Sequence, residues 1–356
     1  MLRPRTSKMP ILDLLKKIDI GKPVRIMEVC GTHTMAIARS GLKQLLPSGI
    51  KLISGPGCPV CVTHQQDIER ALLLAAEPKV TIATFGDMMR VPGSTGSLQD
   101  IRARGADVRV VYSPIDAVNL ARKNPEREVV FLAVGFETTA PTVAAAILQA
   151  AQSDVSNFSI LSLHKLIIPA MAALLNDPET EVDGFLCPGH VSTIIGTEPY
   201  SFIPEEYGKG CVVSGFEPED ILESILLLAK QIKYKEYKVE NQYTRGVRKE
   251  GNRTALALME KFFEPHSVLW RGLGPIERSG LKLRPQFDRF NAEKKFDIHD
   301  AKVQASPVGC MCDRILKGKQ RPEECPLFGK SCTPASPTGP CMVSSEGACA
   351  AEYYNA

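Results

Sequence analysis

The chain has 356 residues, and its 44% hydrophobic content is enough for two or three domains with apolar cores. Its formal net charge is only +3, and no run of arginine and lysine is interleaved with aromatic residues, so the sequence does not indicate a nucleic-acid-binding protein. The first residues lack the apolar run of a signal peptide and no stretch reaches the ~18 apolar residues of a membrane helix, so we expect a soluble cytoplasmic protein without a membrane partner.

Short β-branched runs alternate with amphipathic segments along the first 240 residues. The predicted strands of the first part are VRIMEV (24–29), IKLIS (50–54), VTIATF (80–85) and VRVVY (108–112). Those that follow are EVVFLAVG (128–135), FSILSLH (158–164), VDGFLCP (182–188) and GCVVS (210–214). This alternation predicts parallel sheets with crossover helices. Each strand ends in a Gly- or Pro-rich turn, and open parallel sheets bind their ligands at those carboxyl ends.

The fold class that follows is α/β, with two Rossmann-like parallel-sheet units facing a cleft and a loop-rich C-terminal iron-sulfur segment. We predict three domains, at residues 1–115, 116–240 and 241–356. From about Tyr243 the alternation fades, and the region 271–285 is turn-rich. After Ala305 no periodicity is sustained, which is typical of a segment organised by metal rather than by a large apolar core.

The first predicted strand is followed directly by Cys30-Gly31-Thr32-His33-Thr34, at a strand-to-helix turn. Cys30 and His33 could both reach one metal ion from this turn, and thiolate and imidazole both suit iron. A helix N-terminus at this point would lower the pKa of the Cys30 thiol. The alternative is a buried cysteine beside a helix-capping threonine.

The second predicted strand ends at Gly55-Pro56-Gly57-Cys58-Pro59-Val60-Cys61, which contains a Cys-x-x-Cys pair. Two thiols at this spacing form a reversible disulfide in thioredoxin-like sites, or they donate two ligands to a metal. A cytoplasmic compartment keeps structural cysteines reduced, which argues for chemistry at Cys58 and Cys61. We favour the redox interpretation, because Gly-Pro-Gly fixes a tight turn beside the sulfurs.

Two later turns carry further polar side chains, Glu137 in GFETTAP (135–141) and His190 in PGHVST (188–193). Both turns follow apolar strands, so Glu137 and His190 could lie over a shared cleft and move protons or order a bound group. Each turn could instead simply cap the helix that follows it.

Six of the eleven cysteines fall in the last 47 residues, among prolines and glycines. The spacing Cys310-x14-Cys325-x6-Cys332-x16-Cys349 supplies the four thiolates of an iron-sulfur cluster. Cys312 could replace Cys310 and Cys341 could replace Cys349, which leaves four combinations open. Zinc is the rival metal, but its four-cysteine sites usually consist of two tight Cys-x2-4-Cys pairs, and a disulfide framework is a further alternative.

Several nucleotide motifs are absent from the sequence. No Gly-x-x-x-x-Gly-Lys-Ser/Thr loop occurs, and no Gly-x-Gly-x-x-Gly follows a strand, so neither nucleotide hydrolysis nor dinucleotide binding is indicated. The Cys-x3-Cys-x2-Cys run of radical S-adenosylmethionine enzymes is also missing. We therefore expect a cluster in this chain to pass electrons.

Seven segments spread over nearly the whole chain share one resemblance. They are MEVCGTHT (27–34), GPGCPVC (55–61), GFETTAPT (135–142), PGHVSTIIG (188–196), GFEPEDIL (215–222), ECPLFGKSCTP (324–334) and MVSSEGACAAEYY (342–354). Together they resemble the HypD family of hydrogenase maturation proteins. The resemblance implies a scaffold on which the Fe(CN)2CO group of nickel-iron hydrogenases is assembled, with a 4Fe-4S cluster in the C-terminal part.

The resemblance also implies roles for individual residues and partners. Cys30 would bind the iron that carries cyanide and carbon monoxide, together with a cysteine of a HypC-like small chaperone, with His33 beside it. Cys58 and Cys61 would exchange electrons with the cluster or with the nascent iron centre. A HypE-like protein would donate cyanide, and the hydrogenase large subunit would be reached indirectly. The cluster ligands would be Cys325, Cys332, Cys349 and Cys310, the last chosen over Cys312. A carrier that admits two partners in turn is expected to be a monomer.

Two other functions are compatible with parts of this pattern. One is a thioredoxin-reductase-like electron-transfer enzyme, in which the cluster reduces Cys58–Cys61 for a disulfide substrate; such an enzyme would not need Cys30 or His33. The other is a purely structural platform whose metal holds the tail together, and for which the Cys58/Cys61 pair would be dispensable.

Overall fold

The computed structural model describes residues 8–296, 298 and 309–355. The strands are β1 Val24–Glu28, β2 Ile50–Ser54, β3 Val80–Thr84, β4 Asp107–Val110, β5 Glu128–Gly135, β6 Phe158–His164, β7 Gly184–Pro188, β8 Gly210–Ser214, β9 Val239–Asn241, β10 Phe263–Trp270 and β11 Gly274–Leu283. The eight strands predicted before residue 240 are thus all present.

The helices lie mostly between consecutive strands. They are α1 Lys8–Lys17, α2 Gly31–Arg39, α3 Leu42–Leu45, α4 Pro59–Val62, α5 Gln65–Ala76, α6 Leu98–Ala103, α7 Pro114–Lys123, α8 Ala140–Gln152, α9 Ile167–Asn176, α10 Gly189–Ile195, α11 Phe202–Tyr207, α12 Pro218–Tyr234, α13 Arg253–Phe262, α14 Ala292–Lys295, α15 Cys312–Leu316 and α16 Ala348–Asn355. No helix in the described part of the chain is both long enough and apolar enough to cross a bilayer.

Two parallel sheets form the body of the protein, so the predicted α/β class is confirmed. The five-stranded sheet has the order β2-β1-β7-β8-β9, and the four-stranded sheet has the order β4-β3-β5-β6. In the five-stranded sheet, Met27 of β1 pairs with Ile53 of β2 on one side and with Phe185 of β7 on the other. The chain therefore forms β1 and β2 of the five-stranded sheet, then the whole four-stranded sheet, and then β7 to β9 of the five-stranded sheet.

This return means that the sheets do not divide at the predicted boundary between residues 115 and 116. Strands from 24–54 share a sheet with strands from 184–241, while the four-stranded sheet uses 80–164. Strand periodicity predicts individual strands, but pairing between strands far apart in sequence is a tertiary property.

The prediction of a turn-rich segment at 271–285 is wrong. β10 and β11 form an antiparallel hairpin, with a register shift between His266 and Val268. Prolines at 265 and 275 and glycines at 274 and 280 disguise these strands in the sequence. A two-stranded sheet tolerates such interruptions, because each strand has one open edge where proline needs no hydrogen-bond partner.

Three apolar clusters hold the layers together. One lies between the two sheets and includes Met27 of β1, Val130 of β5 and Phe185 of β7. The opposite face of the five-stranded sheet, which includes Ile26, packs against α1, α2 and α12. The outer face of the four-stranded sheet packs against α7, α8, α13 and the hairpin. Neighbouring residues such as Ile26 and Met27 enter different clusters because successive side chains of a strand point to opposite faces.

Candidate functional site

Cys30 follows β1 and is the N-cap residue of α2, with φ −147° and ψ 121°. Its backbone N–H donates to Glu28 Oε2 at 3.2 Å, and the Thr34 hydroxyl donates to Glu28 Oε1 at 2.6 Å. One buried carboxyl group therefore holds the turn on both sides of Cys30. The strand-to-helix turn predicted here is present, and the thiol is placed at the carboxyl end of the five-stranded sheet.

The electrostatics of this turn differ from the prediction. Burial raises the pKa of the Cys30 thiol to about 12, which outweighs the lowering effect of the His33 and Thr32 N–H groups. The N–H groups at the helix N-terminus do lower this pKa, as predicted, but the net shift is upward, because loss of hydration destabilises the thiolate more than these groups stabilise it. Burial likewise raises the pKa of Glu28 to about 7. A thiolate at Cys30 thus requires a nearby positive charge, such as a bound metal ion.

His33 is completely buried, and its Nε2–H donates to the carbonyl oxygen of Gly215 at 2.9 Å. Burial lowers the pKa of the imidazole to about 4. The Nδ1 atom of His33 has no hydrogen-bond partner among the described residues and is shielded from water. The Gly215 carbonyl fixes the tautomer, so His33 is a neutral imidazole that offers Nδ1 as an unpaired acceptor.

An aromatic stack joins His33 to His190. The ring of Phe216 lies between them, 4.8 Å from the centroid of His33 and 3.9 Å from that of His190. Tyr243 meets the same ring edge-on at 5.8 Å. His33, His190 and Phe216 follow β1, β7 and β8, which are adjacent in one sheet, and Tyr243 follows the next strand, β9.

The C-terminal tail completes this site with Glu346. Its Oε1 accepts a hydrogen bond from the Thr32 hydroxyl at 2.7 Å. A Cβ on Gly31 would lie 2.5 Å from the Glu346 Cβ, so glycine at this position is what admits the tail. Glu346 acts electrostatically on both Cys30 and His190, so its carboxylate faces the same space as the thiol and the imidazole.

Cys58 and Cys61 form a disulfide at the start of α4. The turn before it packs directly on the Cys30 turn: the N–H of Gly31 donates to the carbonyl oxygen of Gly57 at 3.1 Å. A Cβ on Gly57 would lie 2.2 Å from the backbone nitrogen of Cys30, so only glycine allows this approach. The Cys-x-x-Cys pair and Cys30, predicted from separate motifs, are therefore parts of one site.

Glu137 has a different set of neighbours. It follows β5 in the four-stranded sheet, and its Oε1 accepts the N–H of Ile167 at 3.0 Å. Oε2 is buried without a hydrogen-bond partner among the described residues, and burial raises the pKa of the carboxyl group to about 7. His190, by contrast, contacts Phe216. Among the described residues no contact joins Glu137 to His190, which were predicted to lie over one cleft.

The six cysteines of the tail line one cavity. The other residues around it are mostly apolar, among them Ile315, Leu327, Phe328 and Met342. The six, which are all free thiols, are Cys310, Cys312, Cys325, Cys332, Cys341 and Cys349. They come from segments joined by turns and short helices, so the sulfurs converge although the sequence around them has little regular structure.

Sulfur contacts connect four of these cysteines. The thiols of Cys310 and Cys341 hydrogen-bond to the sulfur of Cys312 and hold its pKa well below its usual range. Cys349 in turn contacts Cys341, whose pKa is raised chiefly by the bond to Cys312. The neighbouring thiols therefore favour the thiolate form of Cys312. The contacts include both members of each alternative pair, so all four ligand combinations stay open.

The chemistry of the donor set fits an iron-sulfur cluster, because six thiols converge on one mostly apolar cavity. Among residues 8–296, 298 and 309–355, no three His, Cys, Asp or Glu side chains lie close enough to hold one metal ion. A four-iron cluster does not need such a group, because each of its irons takes a separate thiolate. Soft sulfur ligands in an apolar cavity also suit iron and sulfide.

The tail lies against the Cys58–Cys61 disulfide and against the segment that follows β3. Cys61 Sγ lies 3.9 Å from the carbonyl oxygen of Pro340. Arg90 donates to the carbonyl oxygens of Pro334 and Val343, at 2.9 and 3.2 Å. The disulfide is thereby in contact with the loop that immediately precedes Cys341.

Sequence reasoning missed three residues of this site, Glu28, Phe216 and Glu346. Each lies inside a segment that was recognised as a motif, but as an ordinary strand end or tail residue. No local pattern distinguishes them, because their roles depend on partners between six and 314 positions away.

Comparisons with known proteins agree over the whole chain. A family model described as "HypD: Hydrogenase formation hypA family" matches residues 8–356. The hydrogenase maturation factor HypD of Rhodobacter capsulatus is 50% identical over 336 residues, covering 93% of this chain and 89% of that protein. HypD of Escherichia coli is 49% identical over 333 residues, with coverages of 93% and 89%. HypD of Rhizobium leguminosarum bv. viciae is 47% identical over 343 residues, with coverages of 94% and 89%.

Proposed function

The chain belongs to the HypD family of hydrogenase maturation factors, and we propose that it is the scaffold on which the Fe(CN)2CO group of a nickel-iron hydrogenase is assembled. The family establishes the role in hydrogenase maturation. The observation that carries the finer proposal is the contact between the Cys30 turn and the Cys58–Cys61 disulfide, through Gly31 N–H and Gly57 oxygen at 3.1 Å. A metal-binding thiol and a redox-active pair are thus side by side.

In this proposal the iron fragment is the cargo and Cys30 is its protein ligand. The Cys30 thiol is buried and neutral in the free protein, so binding of ferrous iron releases its proton. Glu346, which faces the same space, is placed to receive that proton or to hold the incoming iron. His190, stacked on the ring of Phe216, borders the cargo and could donate a hydrogen bond to cyanide nitrogen, whereas the buried His33 supports the other face of that ring.

Cys58 and Cys61 supply electrons for cyanide delivery. Release of cyanide from a thiocyanate donor breaks a sulfur-carbon bond and takes two electrons. The reduced Cys58 and Cys61 provide both electrons when they form their disulfide, and they release two protons. A low-potential one-electron donor must then restore the two thiols, with two electrons and two protons for each disulfide.

The tail cysteines would hold a 4Fe-4S cluster, with Cys325 and Cys332 in every combination and Cys310 or Cys312 and Cys341 or Cys349 completing the set. When bound, this group supplies single electrons. The chain's own contribution is the path: the Pro340 carbonyl, next to Cys341, touches Cys61 Sγ at 3.9 Å.

Two partners belong to the proposal. A HypC-like small chaperone would provide the second thiolate for the iron, and a HypE-like protein would carry the cyanide donor. Both must reach Cys30, of which 8% is exposed, and the exposed His190. A monomer leaves this side open to each partner in turn.

The test is infrared spectroscopy in the cyanide and carbonyl stretching region, on protein purified anaerobically after co-production with its small partner. We expect about four irons and four sulfides per chain for the cluster, together with cyanide and carbonyl bands. Cys30→Ala should abolish the bands and keep the sulfide. Cys211→Ala, which removes a buried thiol of the same sheet, is the control and should keep both. Cyanide bands that persist in Cys30→Ala would contradict the scaffold.

The thioredoxin-reductase-like alternative gains no support, because the relatives matched over more than nine-tenths of the chain are hydrogenase maturation factors. The Cys58→Ala variant distinguishes the proposed scaffold from the structural-platform alternative. This variant should retain the visible absorbance of the cluster and lose hydrogenase maturation. Full maturation by Cys58→Ala would favour the platform.

A further inference from the structure

We propose that Asp87 is a positioning residue, which acts through Ser344 to hold Glu346 of the tail beside the iron-binding turn. This inference deepens the proposed function and rests on it, since the role of Glu346 beside the iron fragment belongs to that proposal. Asp87 lies in the short turn Gly86–Arg90 that follows β3. It therefore comes from the four-stranded sheet, whereas Cys30 follows β1 of the five-stranded sheet.

Two consecutive hydrogen bonds connect Asp87 to Glu346. The Ser344 hydroxyl donates to Asp87 Oδ2 at 2.6 Å. The same Ser344 oxygen accepts the backbone N–H of Glu346 at 3.3 Å. Since only 2% of Ser344 is exposed, its hydroxyl depends on protein partners rather than on bulk water. The Asp87 carboxylate therefore directs the hydroxyl, and the hydroxyl oxygen holds the Glu346 backbone.

At its other end, Glu346 is bonded to the turn that contains Cys30. Its Oε1 accepts a hydrogen bond from the Thr32 hydroxyl at 2.7 Å. A Cβ on Gly31 would lie 2.5 Å from the Glu346 Cβ, so the two segments cannot approach more closely. Glu346 is thus held at its side chain by the turn after β1 and at its backbone by the turn after β3.

Arg90, in the same turn as Asp87, binds the tail one residue before Ser344. Its guanidinium donates to the carbonyl oxygen of Val343 at 3.2 Å. The N–H of Gly347 donates to the Ser344 carbonyl oxygen at 2.9 Å, which closes a tight turn around position 346. The loop is therefore held at two consecutive residues by one turn of the four-stranded sheet. A carboxylate on such a restrained loop loses less conformational entropy when it meets a bound group than one on a mobile loop.

Asp87 acts on the site through Glu346 rather than on the iron fragment itself. Its side chain is bonded to Ser344, and it has no hydrogen bond to Cys30 or His190 in the part of the chain that the structure describes. Loss of the Asp87 acceptor would leave the bond between Thr32 and Glu346 in place but release the backbone of the loop. The thiol and the carboxylate would both be present, but they would not be held together.

The experiment compares variants of Asp87 with a matched control. Asp87→Ala removes the acceptor, whereas Asp87→Asn is the conservative variant, whose amide oxygen can still accept the Ser344 hydroxyl. The control is Glu179→Ala, because Glu179 is also an exposed carboxylate that accepts a 2.6 Å bond from the tail, but from Lys319. Glu346→Gln is made alone and in combination with Asp87→Ala.

The first measurement is hydrogen-deuterium exchange of the tail peptide 342–348, on the full chain produced without its small partner. It therefore reports the loop before any iron fragment is delivered. We expect exchange to be several-fold faster in Asp87→Ala, and to match the wild type in Asp87→Asn and Glu179→Ala. Wild-type exchange in Asp87→Ala would overturn the inference.

The second measurement is infrared spectroscopy of protein co-produced with the partner, with the cyanide band intensity expressed per sulfide. We expect Asp87→Ala to lower this intensity several-fold and to broaden the bands, with sulfide unchanged. Asp87→Asn and Glu179→Ala should match the wild type. The double variant should be no weaker than Glu346→Gln alone, because Asp87 acts only through Glu346.

Effects of Asp87→Ala and Glu346→Gln that multiply in the double variant would overturn the inference, as would an Asp87→Asn spectrum as weak as that of Asp87→Ala. If Glu346→Gln shows no bands at all, the exchange measurement decides alone. If Asp87→Ala does not fold, Ser344→Ala takes its place in both measurements, with the same expected results. Wild-type protein without cyanide bands would instead overturn the proposed function, while the exchange rates would still decide whether Asp87 holds the loop.

Discussion

The two sulfur-rich regions of this protein are built in opposite ways. Around Cys30, a parallel sheet aligns three strand ends, and the backbone ladder places every turn before any ligand arrives. Around the tail cavity, six thiols converge from turns and short helices, with α15 spanning only five residues. Strand pairing stabilises the sheet through backbone hydrogen bonds spread over many residues, whereas the tail has few hydrogen bonds of this kind. The first region is therefore preorganised, and we expect the second to depend on the group it binds.

The most severe test of this contrast removes a cysteine from the tail. Cys332→Ala should lose most of its iron and sulfide and make the segment after residue 309 sensitive to limited proteolysis, because Cys332 belongs to every proposed ligand set. Cys187→Ala is the control: this cysteine is equally buried, but it lies on β7. Cys187→Ala should be less stable but should keep its full content of iron and sulfide. A loaded, protease-resistant Cys332→Ala would show that the tail does not depend on its metal.

A smaller effect is expected in the sheet-built region, where burial of a carboxyl group lowers the free energy of unfolding at neutral pH. The pKa of Glu137 is raised by burial to about 7, from 4.5 in the unfolded chain. Below 4.5 the carboxyl group is protonated in both states; as pH rises to 7 the unfolded chain loses its proton first, so the free energy of unfolding falls. Glu137→Gln should avoid this loss and gain ~3 kcal/mol over the wild type between pH 4.5 and pH 8.

Urea unfolding of the two proteins at pH 5 and pH 8 measures this gain. Glutamine keeps an oxygen for the Ile167 N–H, so the variant changes the charge and little else. Glu126→Gln, on the loop before β5, is the control that removes a carboxylate from an exposed position. Equal stability differences at both pH values would contradict the raised pKa.

The smallest effect is expected where a salt bridge joins the two regions. Lys43 Nζ lies 2.8 Å from Glu352 Oε2 of α16, and 38% of the lysine side chain is exposed. Lys43→Ala should lower the free energy of unfolding by less than about 1 kcal/mol, since water and salt screen such pairs. Chemical denaturation at low and high salt tests this. A larger loss that salt does not reduce would show that this contact, rather than the thiol-lined cavity, secures the tail.

Particular elements show how far sequence reasoning reached. The eight strands before residue 240 were predicted because their apolar runs are short, β-branched and bounded by turns. Cys30, Cys58 and Cys61 were placed correctly at strand ends for the same reason. The hairpin of β10 and β11 was missed, since its prolines and glycines imitate a loop. The net pKa of Cys30 is raised rather than lowered, because a motif shows the helix N-terminus but not the depth of burial.

The sequence by itself determined the strands, the strand-end turns, the crowding of cysteines in the tail and, through its motifs, the family. These features are local: they depend on residue types and spacings within a few positions. Only the tertiary structure decided which strands share a sheet, which glycines bring the Cys30 and Cys58 turns together, and how Glu346, Phe216 and Asp87 reach their partners. Those contacts join residues far apart in the chain, so they exist only after the two sheets and the tail have packed against each other.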